Sequence, residues 1–434
     1  MKIINTLKDS INLHKDKAFF SLSNIVKVLI YFLTTKIVSL LIGPVGVTLV
    51  SQLQNIISIL QVIATGGMTV GVTKYTADYK DQVIRQYKLT NTALLMTIMF
   101  SLLVAVILFV SFSDISIYFL GSEKYGYVLV LTGFFIIGYS LQNLNNSILV
   151  GAKKYNLSAK YTIISSLFGL IYSITLIYFL KIHGALIATA TFQSFGFVCR
   201  LLLVDFKDFL EYKITFKIDW VLVKKLLKYS LFTFINATSI PLAQIFIRQI
   251  IIDRVGITDA GVWDAMNRIS FGISFFVNIT FSAYFIPAVS NIKNQSVLKL
   301  WLRKNIFFLT IIMSSLCFFV FLFKELVIRI LYTSEFNSMI ILLDYQLLGE
   351  FFKMMGWLFG SIMLAKALTF DAILFEVIFN VISICILSYL FISKDNFHNV
   401  SMLYFLNYVM YFIFSLIHFK FRTVKQFSSS ASAS

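Results

Sequence analysis

Six basic side chains lie inside long apolar stretches of the sequence: Lys27, Lys36, Arg200, Arg248, Arg268 and Lys353. A charge in such surroundings costs at least about 3 kcal/mol, so these residues usually face a protein interior or a water-filled cavity. An arginine there either pairs with a carboxylate or holds a phosphate through two parallel hydrogen bonds. Four acids lie at least four residues inside the same stretches: Asp264, Asp344, Glu350 and Glu376. Buried carboxylates of this kind are suited to bind a proton or a sodium ion.

Several of these residues also have a purely structural explanation. Asp264 and Arg268 are four residues apart, and Glu350 and Lys353 are three apart, so each pair shares one face of a helix and would neutralise itself. Lys27 lies close enough to the end of its apolar stretch for its ammonium group to reach the lipid headgroups. The sequence alone leaves both explanations open.

The fourth apolar stretch carries an unusual group of polar residues: Gln142, Asn143, Asn145, Asn146 and Ser147. They supply more hydrogen-bonding groups than contacts between membrane helices need. Two further amides occupy matching positions in the second and eighth stretches. We therefore predict a cavity lining that binds sugar hydroxyls, formed by Gln52, Asn143, Asn146 and Asn267.

The elements that hold these residues are apolar helices. Hydrophobic residues make up 59% of the 434 residues and charged residues only 13%, whereas about a quarter of the residues of soluble domains are charged. Apolar runs of about 20 residues, enough to cross a ~30 Å hydrocarbon core as a helix, recur along the chain and leave no room for a soluble domain. Because backbone polar groups in lipid must be paired within their own segment, these runs are predicted to be helices.

We predict twelve membrane-crossing helices, at 18–42, 47–72, 89–111, 126–150, 158–180, 184–204, 227–252, 260–287, 304–323, 338–364, 369–391 and 400–419. The lysines and arginines between them fall mostly on the side that also holds the N-terminus. By the positive-inside rule both termini are predicted to be cytoplasmic. This topology and contact with anionic lipid headgroups explain the net charge of +17. The charge therefore does not require that the protein binds nucleic acid.

The chain divides near its middle. Residues 205–225 form a long connection with six predicted helices on each side. We predict an N-terminal lobe at 1–205, a C-terminal lobe at 206–427, and a low-complexity tail or expression remnant at 428–434.

The two predicted lobes share a short repeat. Gly46-Val47 and Gly261-Val262 open the second and eighth helices, and Lys36 and Arg248 precede them in the first and seventh. Such parallel repeats are typical of lobes related by a pseudo-twofold axis along the membrane normal. The predicted fold is therefore all-α, with two six-helix lobes around a central cavity to which each lobe contributes a cation.

Signatures of enzymes, cofactors and metal sites are missing from the sequence. The four histidines lie at the ends of apolar stretches, and no glycine-rich phosphate loop or metal-ligand spacing occurs. The three cysteines lie in separate stretches and are predicted to be buried apolar residues. The glycine-rich segment GGMTVG, 66–71, is predicted to pack closely against a helix or to act as a hinge.

The sequence resembles the Wzx-type O-antigen and lipid III flippases of the MATE-like exporter superfamily over essentially its whole length. The resemblance is clearest in VKVLIYFLTTKIVSLLIGPVGV (26–47), GGMTVGVTKYTADYKD (66–81), IRQIIIDRVG with GVWDAMNRIS (247–270), FIPAVSNI (285–292) and YQLLGEFFKMMGWLFGSIMLAKA (345–367). It implies a twelve-helix transporter that works by alternating access. The implied substrate is an undecaprenyl-pyrophosphate-linked oligosaccharide, moved from the cytoplasmic to the periplasmic leaflet.

The resemblance also bears on the site and on the partners. Charged residues comparable to Lys27, Lys36, Arg248, Glu350 and Lys353 occur in similar sequences, whereas Arg268 has no secure counterpart. Family members are driven by an ion gradient, so a proton or sodium is the expected coupling ion. The implied partners are the lipid-linked oligosaccharide, the phospholipid membrane and other polysaccharide-assembly proteins of the membrane.

The hypothesis that combines these observations is a flippase with two kinds of charged site. Pyrophosphate binding is assigned to Lys27, Lys36, Arg248, Arg268 and Lys353, and ion coupling to Asp344, Glu350 and Glu376. One alternative is a multidrug or cation exporter of the same superfamily, which would need an acidic or aromatic cavity. Another is a membrane polysaccharide polymerase, which would need a large outer loop that the predicted spans do not leave.

Overall fold

A computed structural model describes residues 2–203, 215, 217–292, 295–365 and 369–423. These residues form helices joined by short connections, and no strand occurs among them. They divide into two compact units. The first consists of residues up to 42 together with 49–241, and the second of residues 43–48 together with those from 242 onward.

The first unit is built on seven helices and the beginning of an eighth. They are α1 (Lys2–Leu41), α2 (Pro44–Ala64), α3 (Thr69–Asp78), α4 (Val83–Leu120), α5 (Gly126–Gly151), α6 (Tyr155–Thr191), α7 (Phe195–Leu203) and α8 (Trp220–Arg254). Helix α1 packs along α6, and α4 along α5. The short α3 lies against α5.

Helix α6 reverses direction within its length. Lys181 leaves the helical region with φ 50° and ψ −124°, and its φ is one of only two positive values at non-glycine residues in the part of the chain described. A Cβ on Gly184 would collide with the Leu176 carbonyl, so the two arms meet at once. The fifth and sixth predicted helices therefore form a hairpin with no loop between them.

The glycine-rich segment 66–71 holds α3 against the beginning of α8. Gly66 and Gly67 have φ of 60° and 61°, values that glycine reaches without strain. A Cβ on Gly67 would lie 2.8 Å from the Ser230 carbonyl oxygen, and one on Gly71 would lie 3.2 Å from Leu226. The close packing predicted for this segment is confirmed.

The residues that lead into α8 are bound to the first unit. The Asn91 side chain donates to the carbonyls of Thr215 and Lys217 at 2.7 and 3.0 Å. Asp219 then caps α8, accepting from the backbone of Val221 at 3.0 Å. These bonds explain why α8 up to Pro241 belongs to the first unit. The predicted lobe boundary at 205 and 206, and the tail at 428–434, lie outside the described residues.

Besides residues 43–48, which include the first turn of α2, the second unit contains the part of α8 after Pro241. Its further helices are α9 (Ile257–Asn291), α10 (Gln295–Leu322), α11 (Lys324–Leu331), α12 (Met339–Ala365), α13 (Thr369–Val377), α14 (Ile384–Phe391) and α15 (Asn399–His418). Helices α12 and α15 pack along each other, and α9 and α10 pack on α12. A π-helical segment, Ile378–Ser383, joins α13 to α14.

Nine helical segments of the described chain are long and apolar enough to cross a membrane. One of them, Tyr155–Cys199, contains two predicted spans because of the reversal at Lys181. The predicted eighth and tenth spans correspond to α9 and α12. The all-α fold with two lobes is confirmed.

Candidate functional site

A buried ion pair joins α8 to α9 in the second unit. Arg248 Nε and Nη2 donate to the two carboxylate oxygens of Asp264, each at 2.7 Å. Both residues are buried, Arg248 at 1% exposure and Asp264 at 3%. The Arg248 guanidinium also lies 5.8 Å from the Trp263 ring, at cation–π distance. A two-bond pair of this kind fixes the guanidinium in one plane.

Arg268 lies one turn further along α9 and is also buried, at 7% exposure. Its charge acts on the Asp264 carboxylate as well. The sequence predicted that Arg268 either pairs with Asp264 on its own helix or holds a phosphate. The structure gives Asp264 two hydrogen bonds from Arg248, sixteen residues away, and the phosphate-binding role of Arg268 stays a prediction. We call Arg248, Asp264 and Arg268 the arginine cluster.

The start of α9 explains why the cluster is buried. Gly256, with φ 147°, turns the chain into the helix. Gly261 lies against the carbonyl of Pro44, so that any side chain there would collide. The Thr48 hydroxyl donates to the Ile257 carbonyl at 2.8 Å. This close contact directs the next turn of α9, with Asp264, toward α8.

A second buried charged group is centred on α12. Glu350 is completely buried. It accepts hydrogen bonds from Ser274 of α9 and, at 2.6 Å, from the Tyr404 hydroxyl of α15. The Lys353 ammonium lies 3.3 Å from the same carboxylate and 3.2 Å from the Tyr404 hydroxyl. The pairing of Glu350 with Lys353 that the sequence suggested is therefore present, but two further residues join it.

The π-helical segment continues this network. The Tyr408 hydroxyl donates to Asn380 Oδ1 at 2.7 Å, and the Tyr408 ring packs 4.6 Å from that of Tyr404. Asn380 belongs to Ile378–Ser383, and Glu376, one turn before it, interacts with its side chain and with the charge of Lys353. Single π turns within α-helices are frequent at functional sites. We call the buried group centred on Glu350 the glutamate network.

Glycines on α12 let α15 approach this network. A Cβ on Gly349 would collide with the Tyr404 ring, and one on Gly356 would collide with the Tyr411 ring. The two glycines are seven residues apart and so lie on one face of the helix. Small residues at such spacing allow membrane helices to pack closely.

Asp344 lies apart from the glutamate network. Its carboxylate pairs with Lys324 at 2.6 Å, and its side chain is 42% exposed. The sequence grouped Asp344 with Glu350 and Glu376 as ion-coupling residues because all three lie in apolar spans. Asp344 lies five residues into α12 and is the more exposed member of its pair with Lys324. Its ion-coupling role stays a prediction.

Lys27 and Lys36 lie on α1 of the first unit, and Lys27 is exposed while Lys36 is half-buried. Lys36 has a polar or electrostatic partner. The side chain of Arg200 is outside the described residues. The pyrophosphate-binding role suggested for the two lysines stays a prediction.

The four predicted sugar-binding amides are distributed over both units. Asn146 accepts from Ser158 at 2.5 Å, joining α5 to α6. Gln52 is buried, and Asn143 is half-buried. Asn267 in the second unit accepts from Gln346 at 3.4 Å. The structure thus uses at least two of these amides in contacts between helices, and their sugar-binding role stays a prediction.

Sequence reasoning missed the tyrosines of the last span and Ser274. Tyr404, Tyr408 and Tyr411 recur at intervals of four and three residues, so they lie on one face of α15. Phenol hydroxyls inside an apolar helix need polar partners. The spacing of these tyrosines is the sequence signal that indicates a buried polar partner opposite α15.

Comparison with known proteins agrees with the fold. Residues 13–293 match the model of a family described as polysaccharide biosynthesis protein. The lipid III flippases of Escherichia coli (strain K12) and Shigella flexneri are each 25% identical to the chain over 358 residues, which cover 82% of this chain and 86% of the relatives.

Solved transporters of the MOP superfamily have the same fold at lower sequence identity. An inward-facing multidrug resistance MATE family transporter aligns with a TM-score of 0.71 at 15% identity, covering 91% of this chain and 94% of its own. An outward-facing one aligns with a TM-score of 0.67 at 17% identity, covering 97% of both chains. The resemblance to the Wzx-type members of the MATE-like superfamily is confirmed. Because the family model matches more than half of its residues, the chain belongs to the polysaccharide biosynthesis protein family.

Proposed function

We propose that this protein is a flippase for a lipid-linked oligosaccharide. Its substrate is an undecaprenyl-pyrophosphate-linked repeat unit of the O-antigen type, moved from the cytoplasmic to the periplasmic leaflet of the bacterial inner membrane by alternating access. Membership of the polysaccharide biosynthesis family and the relatives named lipid III flippase support this class. Among solved transporters of the same fold, both inward-facing and outward-facing conformations are known.

The observation that carries the proposal is the arginine cluster. A pyrophosphate cannot enter hydrocarbon unaided, because desolvating its charges is prohibitive. Two buried guanidiniums that share one carboxylate form a cationic group inside an apolar unit. Guanidiniums match the oxygens of phosphates in pairs. We assign pyrophosphate contact to Arg268 and a positioning role to Arg248, whose guanidinium is fixed by Asp264.

We assign ion coupling to the glutamate network. Glu350 is the most deeply buried carboxylate of that group, and a serine, a tyrosine and a lysine surround it. A proton or sodium ion on Glu350 would change its attraction to Lys353 and its hydrogen bond from Tyr404. Because Tyr404 belongs to α15, this would change the contact between α12 and α15. Glu376 is the second candidate in this network, because it also interacts with Lys353.

Export of cationic drugs is the alternative that the solved neighbours suggest. Such substrates need an acidic or aromatic site. In this chain Asp264 is bonded to Arg248, and Glu350 lies beside Lys353. Asp264 and Glu350 thus each have a cation beside them, which favours an anionic substrate.

The test measures flipping in proteoliposomes that contain the full-length protein and undecaprenyl-pyrophosphate-linked oligosaccharide. A membrane-impermeant glycosidase reports how much substrate has reached the outer leaflet. We expect Arg268→Ala to lower the rate at least tenfold and Arg268→Lys to lower it less, since lysine keeps the charge but not the planar fork.

Arg254→Ala is the matched control, because Arg254 is an exposed arginine of α8 that caps the carbonyls of Tyr389 and Ile392. Thermal unfolding of each variant shows whether it folds. Parental flipping by a folded Arg268→Ala variant would contradict the proposed role of the cluster. Equal flipping of a cationic drug and the lipid-linked sugar would favour the exporter instead.

A further inference from the structure

A surface of tyrosines and lysines lies in the first unit, where α3 meets the beginning of α8. The Lys74 ammonium donates to the Tyr229 hydroxyl at 2.6 Å, and Lys225 donates to the Tyr79 hydroxyl at 3.2 Å. Tyr75 lies beside both ammonium groups, each 5.8 Å from the centroid of its ring. We call these five residues the Tyr–Lys patch. The proposed function does not use it.

The backbone fixes the patch in place. The Tyr75 and Tyr79 rings stack at 5.9 Å, and the Tyr75 and Tyr229 rings meet edge to face at 6.0 Å. The close contacts of Gly67 with Ser230 and of Gly71 with Tyr229 hold the two helices together. The ammonium groups of Lys74 and Lys225 therefore lie against tyrosine rings that are packed together.

Positive charge dominates around the patch. The Arg85 guanidinium lies 5.9 Å from the Tyr79 ring and adds a third cation. Asp78 is close enough to act on Lys74. The hydrogen bond to Tyr229 raises the pKa of Lys74 above its ordinary value, so Lys74 stays protonated at physiological pH. Like charges held this close together are stabilised by an anion between them.

Large apolar residues flank the patch and are exposed. Trp220 and Val221 at the start of α8 are 69% and 65% exposed, and Val83 and Ile84 at the start of α4 are 75% and 74% exposed. Tryptophan beside lysines is typical of the boundary between headgroups and acyl chains. Loop charges assign this side of the protein to the cytoplasm.

We propose that the Tyr–Lys patch binds the phosphate headgroup of an anionic phospholipid of the cytoplasmic leaflet. Lys74 and Lys225 supply the charge. Because the phenol oxygens of Tyr79 and Tyr229 accept hydrogen bonds from these lysines, their own hydroxyl hydrogens remain to donate to phosphate oxygens. The exposed apolar residues would contact the acyl chains. We choose a phospholipid over the lipid-linked sugar because the patch lies on the exposed surface of the unit, outside the arginine cluster.

The experiment uses native mass spectrometry of the full-length protein, delipidated in a neutral detergent. Phosphatidylglycerol, phosphatidylethanolamine and undecaprenyl pyrophosphate are added separately and then in competition. We expect about tenfold preference for phosphatidylglycerol over phosphatidylethanolamine. Lys74→Gln combined with Lys225→Gln should remove that preference. The matched control combines Lys17→Gln with Lys160→Gln, two exposed lysines of the first unit outside the patch, and should keep it.

Tyr79→Phe combined with Tyr229→Phe keeps the rings and removes the hydroxyls, and we expect it to lose part of the preference. Thermal unfolding verifies that each variant folds. Unchanged phosphatidylglycerol binding by the Lys74 and Lys225 variant would overturn the proposal. Displacement of phosphatidylglycerol by equimolar undecaprenyl pyrophosphate would overturn it in favour of the transported lipid. These outcomes are independent of the flipping rate, so the proposed function can fail without affecting them.

Discussion

Buried charges in the second unit are matched by partners from other helices. Asp264 is held by Arg248 of the preceding helix, and Glu350 by Ser274 and Tyr404 as well as by its own neighbour Lys353. Removing one member of such a group leaves the other charged without compensation. Removing both members leaves a site that apolar side chains can fill. Stability and transport can therefore be separated by comparing single with double variants.

We expect Arg248→Leu to lower the free energy of unfolding by about 3–5 kcal/mol, because Asp264 would stay buried without its two donors. Arg248→Leu combined with Asp264→Leu should recover about half of that loss. Chemical unfolding in detergent measures both, with Arg254→Leu as the control. Equal losses in the single and the double variant would show that the pair is not an energetic unit.

Glu350→Gln should abolish the response of flipping to an imposed proton gradient. The amide keeps the size of the side chain but cannot take up a proton. We expect the rate with a gradient to fall to the rate without one in proteoliposomes. Asp344→Asn, which changes a half-exposed acid of the same helix, should keep the full response. A gradient response that persists in Glu350→Gln moves the coupling role to Glu376 or to another residue.

The sequence identified the residue types of these sites but not their partners. Buried cations and acids were visible as interruptions of apolar runs, and the three-residue spacing of Glu350 and Lys353 predicted their contact. Arg248 and Asp264 lie on different helices, so helical periodicity could not relate them. Tyr404 was overlooked because an aromatic residue does not interrupt an apolar pattern.

At the scale of elements, glycine positions decide which helices meet. Gly349 and Gly356 remove side chains where α15 would otherwise be displaced from α12. This contact brings Tyr404 within reach of Glu350. The packing of α12 on α15 is therefore a requirement for the glutamate network and not only a source of stability.

We expect Gly356→Ala to destabilise the protein by about 1–3 kcal/mol, because a methyl group there forces the Tyr411 ring and α15 away. Gly360→Ala is the matched control. A Cβ at Gly360 would lie 3.3 Å from the Tyr411 hydroxyl, whereas one at Gly356 would collide with the Tyr411 ring, and alanine favours the helix over glycine. Thermal unfolding compares the two. Similar melting temperatures for both variants would contradict the packing argument.

At the scale of the whole molecule, most of the architecture was predicted from composition and loop charge. Twelve apolar runs, their helical state and the division into two lobes followed from length and hydropathy. Length and hydropathy did not predict that the first part of α8 belongs to the first unit. That assignment depends on hydrogen bonds of Asn91 with residues more than 120 positions away in the sequence. The cavity predicted between the lobes and the cytoplasmic location of both termini stay predictions.

The orientation can be tested with single cysteines in a protein whose Cys199, Cys317 and Cys385 are replaced by alanine. We expect Ser122→Cys, in the connection after α4, to react with a membrane-impermeant maleimide in intact cells. Asp81→Cys, in the connection before α4, should react only after the membrane is permeabilised. The opposite labelling pattern would invert the topology and place the Tyr–Lys patch outside the cell.

The reversal at Lys181 bears on how the chain is made. Its two arms meet without a linker, so we expect them to enter the bilayer together. The Lys181 ammonium lies 5.8 Å from the Tyr178 ring at the tip of this hairpin. We expect the translocon to accept this pair as one hairpin, and a ribosome stalled between the arms to leave both of them outside the bilayer.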